Sequence, residues 1–124
     1  MSESELVNRI YLYKMPLRKI TTDEERLLDH LIGLARLKLP QGWKENLMVE
    51  PMDDAGMGSL LLHPNGQQDM KRIFGSVLSE YEFKDVDRAT VIVSLNADQH
   101  GQIFELDVWK TTFEPLKAFP TKFS

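Results

Sequence analysis

The chain has 124 residues, 42% hydrophobic and 27% charged, a balance that fits one folded domain with a single core and argues against a disordered chain. No apolar run nears the ~20 residues that span a bilayer. The acidic start, Met1-Ser2-Glu3-Ser4-Glu5, lacks the basic-then-apolar layout of a signal peptide, so a cytoplasmic location is expected. The absence of cysteine excludes disulfides, thiolate catalysis and Cys-ligated metal centres.

Residues 1–17 read as an N-terminal extension, with a short helix the favoured reading of 4–15 before Pro16 closes the segment. Thr22 with Glu25 three residues on has the form of a capping box, and Asp23 and Glu24 suit the positive end of a helix dipole. Leu27, Leu28, Leu31, Ile32, Leu34 and Ala35 then form one apolar stripe, which predicts an amphipathic helix over roughly 22–37, stopped by Pro40 and Gly42. Five strands are expected after it, at 47–52, 59–63, 72–83 (with a bend at Gly75), 90–96 and 103–110, separated by turns rich in Gly, Asp and Pro. The clearest signal is the hairpin at the turn Asp98-Gln99-His100-Gly101. The tail from Pro115 to Ser124 carries Leu116, Phe119 and Phe123 and is expected to lie across the body as extended chain.

These elements predict an α+β domain over 18–124: an N-terminal amphipathic helix packed on one face of an antiparallel, meander-like sheet of about five strands. Period-two alternation assigns Val91, Val93, Leu95, Phe104, Leu106 and Val108 to the helix side. Glu105, Asp107 and Trp109 then fall on the opposite side, beside Glu80 and Glu82.

Charge sharpens that picture. Residues 80–114 carry eight acidic against three basic side chains, a local balance of −5 within a chain total of −4. Nucleic-acid affinity rests largely on Lys and Arg at phosphates, so direct DNA or RNA binding is disfavoured, whereas a basic protein surface would be attracted. Glu105 and Asp107 are also the residues that acid/base chemistry or a divalent metal would use, although two acids at period two are commonly just a solvated strand face. Trp109 among carboxylates has the composition of an interface anchor, unless Phe119 or Phe123 folds over it. The histidines, His30, His63 and His100, fall on separate elements, have no metal-ligand spacing and are expected at the surface. Gly56-Met57-Gly58 lacks the rest of a phosphate loop and reads as a turn.

Several short motifs carry a family resemblance. Arg18-Lys19-Ile20-Thr21, Gly58-Ser59-Leu60, Glu82-Phe83-Lys84-Asp85-x-Asp87 and Leu95-Asn96-Ala97-Asp98-x-x-Gly101 are four of them. Phe104-Glu105-Leu106-Asp107-Val108-Trp109-Lys110, followed by Phe113-x-Pro115-Leu116, is the most specific. Together, over roughly 18–120, they resemble a bacterial family of small proteins catalogued only as a domain of unknown function. The chain departs from that pattern at Arg88, where the resemblance implies glycine. The family implies no activity and supplies no catalytic residues.

By analogy of size, charge and fold class, small acidic α+β proteins of this kind are similar to bacterial immunity proteins. The expected function is therefore a non-enzymatic, cytoplasmic protein-binding module, an immunity protein that sequesters a cognate toxin. Its partner surface would comprise Glu80, Glu82, Asp98, Glu105, Asp107 and Trp109, with no cofactor, metal, nucleic acid or membrane involved. The alternative is a small ligand- or metal-binding domain or enzyme using the Glu105 and Asp107 carboxylates.

Overall fold

The computed structural model describes residues 16–123. The helix expected over 4–15 lies outside the described residues. Helix α1 (Thr22–Ala35) is followed by a single turn, α2 (Trp43–Asn46), which the sequence reading did not anticipate. Five antiparallel strands follow: β1 (Met48–Pro51), β2 (Leu60–His63), β3 (Phe74–Lys84), β4 (Thr90–Asp98) and β5 (Ile103–Lys110). Their order across the sheet is β1-β2-β5-β4-β3. Strands β3, β4 and β5 meander as expected. The link from β2 to β3 instead crosses the sheet, so that β2 pairs with β5.

The helix begins at Thr22 as read from sequence, but its capping box lies one residue earlier than the Thr22/Glu25 pair. Thr21 is the N-cap: its Oγ1 accepts from the Glu24 amide, and the Glu24 carboxylate accepts from the Thr21 amide, completing a capping box. Arg18 selects Glu24 over Glu25 by donating to both of its carboxylate oxygens at 2.8 and 2.9 Å. Leu27, Leu28 and Leu31 are fully buried against Leu60, Leu62, Val91, Val93, Leu95, Leu106 and Val108, so the apolar stripe and one sheet face form a single core.

Two residues of β5, Ile103 and Phe104, sit otherwise than alternation predicted. Asn96 pairs with Glu105 but Ala97 pairs with Ile103, which leaves Phe104 as an extra residue in a β-bulge. Ile103 therefore enters the core, and Phe104 turns out under the Arg72 guanidinium, 4.8 Å from its ring centre. Both sheet edges are irregular. Arg18 exchanges backbone hydrogen bonds with Val49 beside β1. Strand β3 breaks register at two points, around Gly75 and Leu78. A Cβ on Gly75 would lie 2.1 Å from the Asp98 carbonyl oxygen, so only glycine permits that bulge.

The tail packs on the helix side. Phe123 stacks on His30 of α1, with ring centres 4.5 Å apart, and both rings meet Tyr81. His30 is thus partly buried among aromatics rather than at the surface. What holds the tail is a buried charge cluster. Lys110 is fully buried and donates to Asp85 at 2.8 Å, to Asp87 and to the Pro115 carbonyl. Asp85 in turn accepts from the backbone amides of Val86, Lys117 and Ala118. Much of the sequence signature, Asp85, Asp87, Lys110, Pro115 and Leu116, is therefore a latch for the C-terminal segment.

The turn that presents those aspartates has Arg88 at φ 70°, a left-handed conformation. This is the position where the family resemblance implied glycine. A residue with a Cβ costs roughly 1–2 kcal/mol there. Arg88→Gly is expected to stabilise the fold by about 1 kcal/mol in urea titrations, the unfolded-chain entropy of glycine offsetting part of the gain.

Candidate functional site: the open sheet face

Among the described residues, no helix lies over the side of the sheet opposite α1. Cross-strand register builds it in three rungs: Asn96 beside Glu105; Glu80, Ser94 and Asp107; and Glu82, Ile92 and Trp109. The small polar side chains of β4 lie low in the middle, buried between taller acids on β3 and β5. Glu80, Glu82, Asp107 and Trp109 are exposed and Glu105 is partly buried, so five of the six residues picked from sequence share one surface. Lys84 follows on the same side of β3, at the rim, where it donates to Thr90.

Asp98 is the exception. It is only 2% exposed: Oδ2 accepts from Arg72 at 2.8 Å, and Oδ1 accepts from the backbone amides of His100 and Gln102. Burial pushes its carboxyl up, but the Arg72 hydrogen bond and the turn amides hold it below the ordinary carboxylate range. It fixes the β4–β5 turn, with Gly101 at φ 82°, and presents no charge to a partner.

Trp109 is 42% exposed, and the Phe119 and Phe123 side chains that threatened to cover it pack against the core on the other side of the sheet. Its aromatic neighbour is Phe113, 6.2 Å away between ring centres and itself 66% exposed. Phe113 sits at φ 59°, a strained backbone for a bulky residue, and the sequence reading named it in the C-terminal signature but not among the partner-surface residues. A Phe three residues past a strand end offered no periodic signal; the left-handed turn that aims it beside Trp109 is visible only in three dimensions.

The acids on this face are held at a cost. Asp107 takes a hydrogen bond from Ser59, whose Oγ also accepts from the Val108 amide. Burial pushes the Glu105 carboxyl up from its ordinary range; a hydrogen bond with Asn96 opposes this, and the like charge of Asp107 adds to it. Because the folded state favours protonated Glu105, ionising it removes stability as pH rises through that raised value. Glu105→Gln should therefore raise the melting temperature at pH 7 and leave it nearly unchanged at pH 3, as thermal unfolding at the two pH values would reveal.

Among the described residues, the clefts at Trp43, at His63 and at Ser59 are lined by neither Glu105 nor Asp107. Among the described residues no three His, Asp or Glu side chains gather in a way that would hold a metal ion, and no helix is long and apolar enough to cross a membrane.

Fold and surface thus define a small α+β domain of one main helix on a five-stranded antiparallel sheet, whose uncovered face joins carboxylates to an exposed aromatic pair. The chain belongs to the family described as Domain of unknown function (DUF6984), whose model matches residues 17–120. No curated protein and no solved structure matches it.

Proposed function

We propose that the protein is a binding module whose uncovered sheet face docks a partner protein with a basic surface, the partner being the toxin of an effector–immunity pair. One observation carries this reading: Glu80, Glu82, Glu105, Asp107 and Trp109 share a face that, among the described residues, no helix covers and the latched tail leaves open. Carboxylates around an aromatic pair combine charge that accelerates encounter with rigid apolar area that slows dissociation. One face of a domain this size can supply half of a standard interface of about 1,600 Å². The raised Glu105 fits the same reading, since a binding surface commonly keeps groups that stability alone would discard.

The test is titration calorimetry against the product of the gene immediately upstream, at about 50 and 300 mM salt. Tight association that weakens with salt and is abolished by the double charge reversal Glu105→Lys, Asp107→Lys supports the reading. No association, or association indifferent to both changes, would overturn it.

A further inference from the structure

The β2–β3 connection closes over one corner of the open face and leaves a cleft of about 220 Å³, whose walls include Glu50, Leu61, His63, Asp69, Arg72 and Phe104. Glu50 and His63, the latter expected at the surface, are buried at 8% and 5% exposure, with Nε2 of His63 3.2 Å from Oε2 of Glu50. The tautomer that donates to this carboxylate leaves Nδ1 as a bare acceptor, and Nδ1 is buried with no partner among the described residues. Oε1 of Glu50 likewise has no hydrogen-bond donor among the described residues. A buried ring nitrogen left without a partner weakens a fold, so stability alone does not explain it.

The neighbouring cation cannot fill the vacancy. Arg72 directs Nε to Asp98 and its two terminal nitrogens to the Leu62 and Ile103 carbonyls, with its flat face over Phe104. Asp69, at the exposed lip, accepts from the Lys71 amide through Oδ1 alone. The cleft therefore sets two carboxylates and apolar walls beside the Gln68 amide and a guanidinium whose charge Asp98 already matches. A complementary guest brings positive charge, several N–H donors and a slim apolar stem.

We propose that this cleft receives a primary ammonium group on a short alkyl stem, with Glu50 and Asp69 as counter-charges, Leu61 and Phe104 flanking the stem, and His63 as the positioning residue for Glu50. Register places Glu50, Leu61 and Glu105 in one row across β1, β2 and β5, so the cleft is continuous with the open face. The chemistry is shared by a lysine side chain and a free aliphatic amine. The assignment to a partner's lysine rests on the docking reading above; the ammonium site itself does not.

The experiment is an amide NMR titration of the full chain with butylammonium chloride, with sodium butyrate as the matched control of opposite charge. Saturable shifts confined to residues around 50, 61, 63, 69 and 104 are expected from the ammonium and not from butyrate. Glu50→Gln should weaken binding at least ten-fold and the exposed Asp69→Asn about three-fold, which keeps the test decisive if the first variant fails to fold. Arg26→Gln, at an exposed position of α1 on the other side of the sheet, should leave the titration within two-fold of wild type. Equal shifts from butyrate, or wild-type affinity in Asp69→Asn and in a folded Glu50→Gln, would overturn the site. Nα-acetyl-lysine N-methylamide distinguishes the sources: affinity equal to or above butylammonium supports a lysine side chain, and ten-fold weaker affinity supports a free amine. A specific ammonium titration in a protein that shows no salt-sensitive partner would remove the docking reading and leave the cleft standing.

Discussion

Asp85→Ala is expected to destabilise the protein by about 3–5 kcal/mol, the effect of breaking a buried ion pair by removing one partner. Asp85 accepts from Lys110, which is fully buried, and from three backbone amides, two of them in the tail. Its loss leaves a buried ammonium short of its counter-charge and frees Lys117 and Ala118 from the body. An ordinary ion pair can often be exchanged for apolar residues at little loss. Here the double change Asp85→Leu, Lys110→Met should recover only part of the stability, because the amides of Val86, Lys117 and Ala118 still lose their acceptor. Urea unfolding measures the first effect, and tryptic cleavage after Lys117 reports the second. An unchanged midpoint together with a protected Lys117 would remove the latch from the account.

The same carboxylate sets an acid limit. Burial pushes Asp85 up, but the Lys110 hydrogen bond and the backbone amides bring it down to about 2 from an ordinary 3.8. A carboxyl depressed by folding contributes stability above its unfolded value and loses it as pH falls through its folded one. Asp98 and Glu24 are lowered in the same direction, so acid unfolding should concentrate between about pH 4 and pH 2. Asp85→Asn should flatten that pH dependence.

Trp109→Ala carries the largest expected effect on association, a loss of more than about 2 kcal/mol, or roughly 30-fold in Kd. The indole lies between Ile92 in register on β4 and the exposed Phe113 ring, with Glu82 on the strand beyond. Large rigid rings with few rotamers dominate interfaces because little entropy is lost when they are fixed. Truncation should act mainly on the dissociation rate, whereas Glu82→Gln or Asp107→Asn should lower the association rate and flatten its salt dependence. Stability should barely move in Trp109→Ala, since nearly half the side chain is already in water. Stopped-flow mixing with the partner separates the two rates. Trp109→Ala binding as tightly as wild type would place the contact elsewhere.

The sheet face was legible in the sequence because alternation is local: Glu105, Asp107 and Trp109 keep the side that period two assigns them, and so do Glu80 and Glu82. The helix was legible through its stripe, and the cap slipped by one residue because Arg18 lies outside the motif that was read. The failures share one cause. Asp98 looks like a turn acid until Arg72, 26 residues earlier, reaches it. Lys110 looks like a surface lysine at a strand end until Asp85, 25 residues earlier, buries beside it. Phe104 moves outward because a bulge adds one residue that no alternation pattern reveals. Glu50 and His63 were within reach of pattern reasoning, for a β1–β2 hairpin paired Met48 to His63 sets them diagonally on one side. The default that histidines sit in water hid them.

A sheet with one bare side invites stacking into fibres, and growth of that kind proceeds by adding chains to its margins. Neither margin here is a straight template: the backbone of Arg18 occupies one, and two kinks, the first demanding glycine, deform the other. The face that the described residues leave uncovered is thus flanked by margins that give self-propagating assembly no rail to run along.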